Sequence, residues 1–368
     1  MSMPRRIAFA AILCGALAMP LAASGAGDAA ADCNARDGFT PVCGVQRPED
    51  IEVLPGGALL ISEYGGLAGA HTGRLTLYRP DDGDLRALYP GDGAADGDPD
   101  WGAADCPGAP GAELDPHGIH HGPSGGADRV LVVNHRGREA VELFEVMAAD
   151  TPSATRLVWR GCVPAPAEVW MNDVVGLPGG GFAVSHMVPR GTDGEALFEA
   201  ERTRGNSGHV LTWMPREGWR KLPGSDGALP NGLEVSDDGD ILYVNEYFGD
   251  RVYALERASG RRLWSTAVDA PDNASWGADG RLLVASHHAD LEAVLACDHD
   301  PLVMCPLPFS IVAIDPVDGR RVTVVEGGGP GAPMGAATVA VEHAGRLWLG
   351  SYVGDRMAAT KRGTGVRP

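Results

Sequence analysis

The sequence predicts an all-β fold, namely a six-bladed β-propeller with four-stranded blades around a central tunnel. Three observations lead to this prediction: a composition rich in turn-forming residues, a strand-and-turn unit that recurs six times, and polar residues at one place in several of these units. The 368-residue chain contains 52 glycines and 28 prolines, which favours many tight turns over long helices. Apolar residues make up 44% of the chain, enough for the core of one large closed propeller.

The first residues predict an export signal. Arg5 and Arg6 precede an apolar run from Ile7 to about Ala23, and small residues continue to Ala26. Charged, apolar and small residues in this order are typical of a cleavable signal peptide. We therefore expect the protein to be exported, either to a periplasm or out of the cell.

The predicted domain organisation follows from that signal. Residues 1–26 are the signal peptide, residues 27–46 an N-terminal extension, and residues 47–368 a single six-bladed propeller domain. An uncleaved membrane anchor is one alternative, although the apolar run is near the lower length limit of a spanning helix. A lipoprotein attached at Cys14 is another, but the preceding Ile12-Leu13 lacks the small residues typical of lipid attachment.

Six cysteines remain after the signal. An even number in an oxidising compartment predicts disulfide bonds rather than a metal cluster. Sequence separation favours two local pairs and one long-range pair, with the other connectivities left open: Cys33–Cys43, Cys297–Cys305 and Cys106–Cys162.

The charge of the chain excludes two classes of partner. The net charge is −19 at pH 7, and the two lysines are Lys221 and Lys361. Nucleic acids and anionic membrane surfaces would be repelled, so we expect neither as a partner once the signal is removed. An acidic surface is compatible with cation binding, and solubility alone also accounts for it.

One unit recurs along the chain, consisting of a Gly or Asp turn, a short β-rich run, a polar loop and a second β-rich run. The first runs are Pro55–Ser62, Asp128–Asn134, Gly179–Ser185, Asp240–Asn245, Gly280–Ser286 and Gly345–Ser351. The second runs are Arg74–Tyr78, Ala140–Phe144, His209–Trp213, Arg251–Leu255, Ser310–Ile314 and a weaker run near Met357. Six such units close a ring without long exposed sheet edges. A large β-sandwich, the competing all-β fold, would not repeat one signature at this spacing.

Carboxylate and carboxamide residues precede four of the repeated turns at about the same place. They lie in Pro48–Ile51, Met171–Val174, Pro230–Leu233 and Pro271–Ala274. The innermost strands of a propeller converge on its axis, so the ligands of one axial ion must come from several blades. Oxygen-only ligands suit calcium, whereas zinc or copper would need His and Cys. A single Asn or Asp would be a turn residue or cap, but four equivalent positions predict a central metal-binding tunnel.

Histidines form a second group. They lie in Leu114–His121 and in Val132–His135. Two histidines near an axial ion can relay a proton from water, because imidazole alone has an unperturbed pKa near neutral pH. His186 and His287 follow comparable strands in other copies, and we expect both to line the pocket or pack in the channel.

On these residues the chain resembles the serum paraoxonase family of calcium-dependent lactonases and arylesterases, within the wider group of gluconolactonase and regucalcin. The resemblance extends from about Arg47 to Ser351. It is strongest in Glu49–Gly57, Asp115–Ile119, Val132–His135, Val141–Phe144, Asn172–Asp173, Asn231–Gly239 and Asp272–Asn273.

The resemblance implies two calcium ions in the tunnel. The ligands of the catalytic ion would be Glu49, Asn172, Asn231, Asp272 and Asn273. The deeper structural ion would be held by Asp50, Asp173 and the backbone carbonyl of Ile119. His117 and His135 would form the histidine dyad that activates water while calcium polarises the carbonyl of a lactone or aryl ester. The expected enzyme is therefore a carboxylic ester hydrolase with a small-molecule lactone or ester substrate.

The chain also departs from this family. The family joins its N-terminal and C-terminal segments by a disulfide, but only Cys43 matches it, because Met357–Ala359 contains no cysteine. Ser286 replaces a family cysteine, and the family's lipoprotein-binding helices have no counterpart. Inserted loops at Tyr89–Gly111 and Ala289–Leu307 are expected to reshape the mouth of the site. A gluconolactonase-like sugar lactonase, a non-catalytic calcium-stabilised propeller and a metal-free synthase-like propeller remain as alternatives.

Overall fold

The computed structural model describes residues 33–66, 72–90, 95–124, 127–147, 154–297 and 303–366. The predicted signal peptide and Cys14 lie outside the described residues.

In this part of the chain, strands form six antiparallel sheets of four strands each. The first three blades contain β2 (Pro48–Val53), β3 (Leu59–Glu63), β4 (Arg74–Tyr78) and β5 (Leu85–Tyr89); β6 (Pro116–Ser124), β7 (Ala127–Asn134), β8 (Ala140–Met147) and β9 (Arg156–Pro164); and β10 (Val169–Gly176), β11 (Phe182–Pro189), β12 (His209–Met214) and β13 (Gly218–Lys221). Blades 4 and 5 contain β14 (Pro230–Val235), β15 (Ile241–Glu246), β16 (Arg251–Glu256) and β17 (Arg261–Ala267); and β18 (Pro271–Trp276), β19 (Leu282–His287), β20 (Phe309–Ile314) and β21 (Arg321–Gly327). Blade 6 contains β22 (Ala337–His343), β23 (Arg346–Ser351), β24 (Arg356–Thr360) and β1 (Thr40–Cys43).

The predicted six-bladed propeller is confirmed. The first strands of neighbouring blades, β2, β6, β10, β14, β18 and β22, contact one another around the ring and are therefore the innermost strands. The repeated runs of the sequence are the second and third strands of each blade, and the weaker run near Met357 is β24. The sandwich alternative is wrong, because each sheet packs against two neighbours instead of one.

The ring is closed by hydrogen bonds between the two ends of the described chain. Strand β1 pairs with β24, with Thr40 opposite Ala359 and Cys43 opposite Arg356. The paraoxonase family, which the sequence resembles, joins the same two segments by a disulfide. Residues 40–43, which we predicted to lie in an N-terminal extension, are thus the outer strand of blade 6. The sequence does not reveal this, because β1 has no adjacent partner strand in the chain.

The core lies between the blades. Leu59 and Ile61 pack with residues of blade 6 such as Trp348, whereas Leu60 faces blade 2 and packs near Val130. Both faces of a blade are covered, so its central strands are continuous apolar runs. Each buried Leu or Ile contributes about 1.5–3 kcal/mol, and these contacts hold the innermost strands in place.

All three favoured disulfide pairs are present, namely Cys33–Cys43, Cys106–Cys162 and Cys297–Cys305. None of the helices in the described ranges is long and apolar enough for a membrane crossing.

The described residues of the inserted loop Tyr89–Gly111 do not line the mouth of the tunnel, which we predicted this loop to reshape. Its described residues lie along β9, where the Ala103 N–H donates to the Cys162 carbonyl at 2.9 Å. Arg129 stacks over Trp101 at 3.8 Å. The loop is held there by the disulfide to Cys162, and none of its described residues lines the axial pocket.

Candidate functional site

The innermost strand of every blade is irregular at the same level. In each strand the register with its neighbour shifts, which leaves one or two residues without a partner across the ladder. These residues are Glu49, His117, Gly118, Asn172, Asp173, Asn231, Gly232, Asp272, Asn273 and Thr338. A β-bulge re-aims side chains and is common beside active sites. The bulges thus bring together most of the predicted site residues, and Thr338 of blade 6 is the member that the sequence analysis missed.

The backbone before four of these bulges is strained. The residues directly ahead of β2, β14, β18 and β22 are Arg47, Leu229, Ala270 and Ala336, with φ of 43°, 52°, 32° and 51°. A positive φ in a residue other than glycine costs of order 1–3 kcal/mol and persists only where the surrounding structure imposes it. The packing of the ring therefore maintains the bulges against local preference.

Glycine is required at two of the bulges. A Cβ on Gly118 would lie 2.4 Å from Asp173 Oδ1, and one on Gly232 would lie 2.4 Å from the Asp272 carbonyl oxygen. These close approaches explain the glycine that follows His117 and the glycine that follows Asn231.

Small polar residues of the second strands support two of the bulges from behind. Ser62 Oγ accepts from the Asp50 N–H at 3.2 Å, and Ser185 Oγ accepts from the Asp173 N–H at 3.0 Å. The second strand of each blade carries Ser or Asn opposite or next to the bulge: Ser62, Asn134, Ser185, Asn245, Ser286 and Ser351. The signal was present in the repeats, since the first run of every copy ends in Ser or Asn. Ser286 belongs to this set, and its hydroxyl donates to the Asp269 carbonyl at 2.5 Å.

The five residues predicted to bind the catalytic ion meet at the axis. Asn273 Nδ2 donates to Glu49 Oε1 at 2.8 Å, and the Asn231 side chain bonds the Asp272 carboxylate. Asn172 Nδ2 lies 3.4 Å from His117 Nε2. Four blades therefore contribute to one cluster.

This cluster contains buried oxygens without a hydrogen-bond partner. Among the described residues, six buried side-chain oxygens have none, and four of them belong to the predicted ligands: Glu49 Oε2, Asn172 Oδ1, Asn231 Oδ1 and Asn273 Oδ1. An unsatisfied buried oxygen costs about 1–3 kcal/mol. Four at one place fit a cation that prefers oxygen ligands.

The pKa values of the acidic groups in the cluster are raised. Burial, reinforced by Asp50 and Asp272, raises the pKa of Glu49 well above its ordinary value. Burial also raises the pKa of Asp272 to about 8 and that of Asp50 to about 7. Within the described ranges no group of three or more His, Cys, Asp or Glu side chains forms a metal site by itself. A metal site in this cluster therefore depends on the carboxamide oxygens as well as on the carboxylates.

The deeper predicted set is hydrogen-bonded inside the protein. Asp50 Oδ2 accepts from the Ile119 N–H at 2.8 Å, and Asp173 Oδ2 accepts from the Leu233 N–H at 2.7 Å. These bonds connect blade 1 to blade 2 and blade 3 to blade 4. Ile119 directs its N–H, rather than its carbonyl, to Asp50. The second calcium ion stays a prediction, and these carboxylates have a bridging role without it.

The two predicted catalytic histidines are in contact. His117 Nδ1 lies 2.8 Å from His135 Nε2, and the His117 ring stacks on Tyr64 with centroids 4.5 Å apart. His135 Nδ1 in turn lies 3.1 Å from the Glu139 carboxylate. Burial, reinforced by His135, lowers the pKa of His117 well below its ordinary value. Neither Tyr64 nor Glu139 was predicted from the sequence as a site residue.

An open pocket with a cavity volume of about 140 Å³ lies above the cluster. Its floor is polar and includes Glu49, His117, Asn172 and Asp272. Its wall is mostly apolar and includes Leu197, Leu229, Phe248, Leu291, Val294 and Leu295. The pocket thus suits a molecule with one polar reacting group and an apolar body.

Two inserted helices build part of this wall. Helix α1 (Gly194–Thr203) begins after Asp193, whose side chain accepts from the Ala196 N–H, and α2 (Leu291–Cys297) carries three of the apolar residues. Glu201 of α1 accepts from the Leu291 N–H at 2.9 Å. The insertion Ala289–Leu307 therefore shapes the mouth as predicted, while α1 was not anticipated.

His287 and His186, which we expected to line the pocket or pack in the channel, lie in different places. His287 lines the pocket, and its Nδ1 lies 2.9 Å from the Tyr247 hydroxyl. His186 packs against His209, with ring centroids 4.9 Å apart.

Comparisons with known proteins agree with the fold. A family model described as outer membrane protein assembly factor BamB matches residues 206–366. No curated protein matches the chain. A candidate gluconolactonase superposes with a TM-score of 0.50 at 14% identity, over 88% of this chain and 92% of that one. A luciferin-regenerating enzyme has a TM-score of 0.50 at 12% identity, over 88% and 93%. A gluconolactonase from Xanthomonas campestris has a TM-score of 0.49 at 15% identity, over 88% and 89%. The two structures with a TM-score of 0.50 show that this chain has the propeller fold.

Proposed function

We propose that the protein is an exported, calcium-dependent hydrolase of lactones or aryl esters, of the paraoxonase type that the sequence resembles. The main support is the set of four unpartnered buried oxygens that four blades direct into one cluster. The fold likeness to a candidate gluconolactonase and the presence of three disulfides are compatible with this proposal.

The donor set fits calcium. Glu49, Asn172, Asn231, Asp272 and Asn273 would hold the ion, and all five offer oxygen. Calcium bound there would act as a Lewis acid that withdraws charge from a substrate carbonyl oxygen. The carboxamides add ligands without adding negative charge, so the site keeps its electrophilic character.

His117 is placed to act as the general base. Asn172 Nδ2 can only donate, so His117 Nε2, 3.4 Å away, is an acceptor with its lone pair toward the pocket. The lowered pKa of His117 keeps this nitrogen unprotonated at neutral pH. In the reaction, the oxygen of a water molecule would bond to the carbonyl carbon while His117 Nε2 takes its proton. The single bond between the carbonyl carbon and the leaving oxygen then breaks, and the leaving oxygen receives a proton.

The apolar wall favours an acyl or aryl group over a sugar. A polar aldonolactone would place hydroxyls beside the apolar side chains of Leu197, Leu291 and Val294, which offer no hydrogen bonds. The wall therefore favours acyl lactones and aryl esters as substrates. A purely structural propeller would not need the pair formed by His117 and His135.

The experiment is a substrate panel with purified protein. We expect turnover of aliphatic lactones or phenyl acetate, little turnover of aldonolactones, loss of activity on chelation, and recovery with added Ca²⁺. Asn273→Leu removes one unpartnered oxygen at nearly constant volume and should lower Ca²⁺ affinity. Glu217→Gln, on an exposed turn, is the matched surface control.

The possible outcomes separate the alternatives. Preference for aldonolactones would favour a sugar lactonase, and Ca²⁺ binding without turnover would favour a structural propeller. Absence of Ca²⁺ binding in calorimetry would contradict the proposal.

A further inference from the structure

Glu139 lies behind the histidine pair and bonds three different groups. Its side chain is 4% exposed and lies 3.1 and 3.2 Å from His135 Nδ1. Its Oε1 accepts from the Met171 N–H at 2.7 Å, and its Oε2 lies 3.1 Å from Arg190 Nη2. No part of the proposed reaction takes place at this residue, yet its carboxylate is saturated with donors.

The hydrogen bonds of this chain of residues have only one consistent direction when both rings are neutral. The Asn172 Nδ2 group can only donate, so His117 Nε2 accepts and His117 Nδ1 carries the hydrogen. His117 Nδ1 then donates to His135 Nε2, and His135 Nδ1 must carry its own hydrogen. Only an acceptor can face His135 Nδ1, and the carboxylate of Glu139, which pairs with Arg190, is such an acceptor.

The same carboxylate also connects two blades at the site. Glu139 directly precedes β8 of blade 2, while Met171 is in β10 of blade 3 and directly precedes the bulge that carries Asn172. One side chain thus orients His135 and holds the strand that presents Asn172 to His117.

We propose that Glu139 is a positioning residue that sets the tautomer of His135 and, through it, leaves His117 Nε2 unprotonated toward the pocket. This proposal deepens the hydrolase function and depends on it. When His117 takes a proton at Nε2, its Nδ1 hydrogen passes to His135 Nε2. The resulting imidazolium of His135 lies against the negative charge of Glu139.

Glu139→Gln tests this with little change in volume. The glutamine carbonyl takes the place of Oε1 and can still accept from the Met171 N–H. The NH₂ group then takes the place of Oε2, the oxygen nearer to His135 Nδ1 (3.1 Å, against 3.2 Å for Oε1), so a donor meets a donor. We expect kcat to fall by about 10²-fold or more, with little change in KM, Ca²⁺ affinity or thermal midpoint. Glu139→Asp keeps the negative acceptor and should recover part of the loss. Glu145→Gln removes a charge from the same region, where Glu145 pairs with Arg160, and should leave activity unchanged.

A double mutant distinguishes positioning from simple structural support. Once His135→Gln has removed the relay, adding Glu139→Gln should lower kcat by no more than about twofold, because residues that act as one unit are not additive. Three results would each overturn the proposal. One is a double variant whose loss of kcat equals the product of the two single losses. The others are an unchanged kcat in Glu139→Gln and a parallel loss of Ca²⁺ affinity and thermal stability in that variant.

A spectroscopic readout separates this inference from the proposed function. Two-bond ¹H–¹⁵N spectra, recorded at a pH high enough for both histidine rings to be neutral, should show His135 protonated at Nδ1 in the wild type and at Nε2 in Glu139→Gln. If the wild type hydrolyses no lactone or ester but the tautomer still changes, the hydrolase proposal fails while the positioning role stands. An unchanged His135 tautomer would refute the positioning role whatever the activity.

Discussion

Binding of Ca²⁺ to the metal-free protein should release protons, and the number should depend on pH. Burial raises the pKa of Asp272 to about 8 and that of Glu49 well above its ordinary value. A carboxyl of pKa about 8 is roughly 90% protonated at pH 7 and about 10% protonated at pH 9. Because a ligand carboxyl must be ionised, Asp272 alone should release about 0.9 proton at pH 7 and about 0.1 at pH 9, and Glu49 adds to this number.

The Ca²⁺ affinity of the protein should also depend on pH. Raising the pH removes the competing protons, so Ca²⁺ binding should tighten as the pH rises from 6 to 8, by about tenfold per pH unit for each proton released. Calorimetry in buffers of different ionisation enthalpy measures both the proton number and the affinity.

Asp272→Asn provides the internal control. It should remove about 0.9 proton from the release at pH 7, in addition to weakening the binding. A Ca²⁺ affinity that is constant between pH 6 and 9, or a release that Asp272→Asn leaves unchanged, would refute the assignment of this buried cluster as the cation site.

Three further predictions concern the same site. Asn231→Ala should abolish most of the Ca²⁺-dependent rise in thermal stability, which for the wild type amounts to about 2.7 kcal/mol at a Ca²⁺ concentration 100 times Kd, as scanning calorimetry with and without Ca²⁺ would show. His117→Gln should lower lactone turnover by about 10²- to 10⁴-fold in steady-state assays while leaving Ca²⁺ affinity nearly intact; unchanged turnover would remove this residue from the mechanism. Although burial lowers the pKa of His135, the negative charges of Glu139 and Asp115 outweigh burial and raise it overall. Its stabilising contribution should therefore be fully present below the ordinary pKa of about 6.5 and be lost as the pH rises through the higher folded value, which urea unfolding of the wild type and His135→Gln at several pH values would test.

Several features could be predicted because they are recorded in local patterns. The repeated runs that became β3, β7, β11, β15, β19 and β23 are mostly apolar, and Gly or Asp turn residues precede them. A strand covered on both faces is apolar along most of its length. The candidate ligands were recognisable because each blade has its bulge at the same level, so Glu49, Asn172, Asn231 and Asp272 occupy equivalent places in their repeats.

Other features depend on contacts between distant segments. Glu139 is four residues from His135, but its second partner, Met171, belongs to the next blade. The sequence also contains no pattern that pairs β1 with β24 or directs α1 and α2 to one side of the pocket.

The sequence by itself determined the number of blades and the chemistry of the candidate ligands, because repeat period and residue type are properties of the chain. It also favoured, without determining it, the cysteine pairing that the structure shows. Only the tertiary structure decided which buried oxygens lack partners, which carboxylate faces His135 and where each inserted loop lies. Those features depend on side-chain directions after the ring closes, when residues hundreds of positions apart, such as Glu49 and Asn273, come within hydrogen-bonding distance.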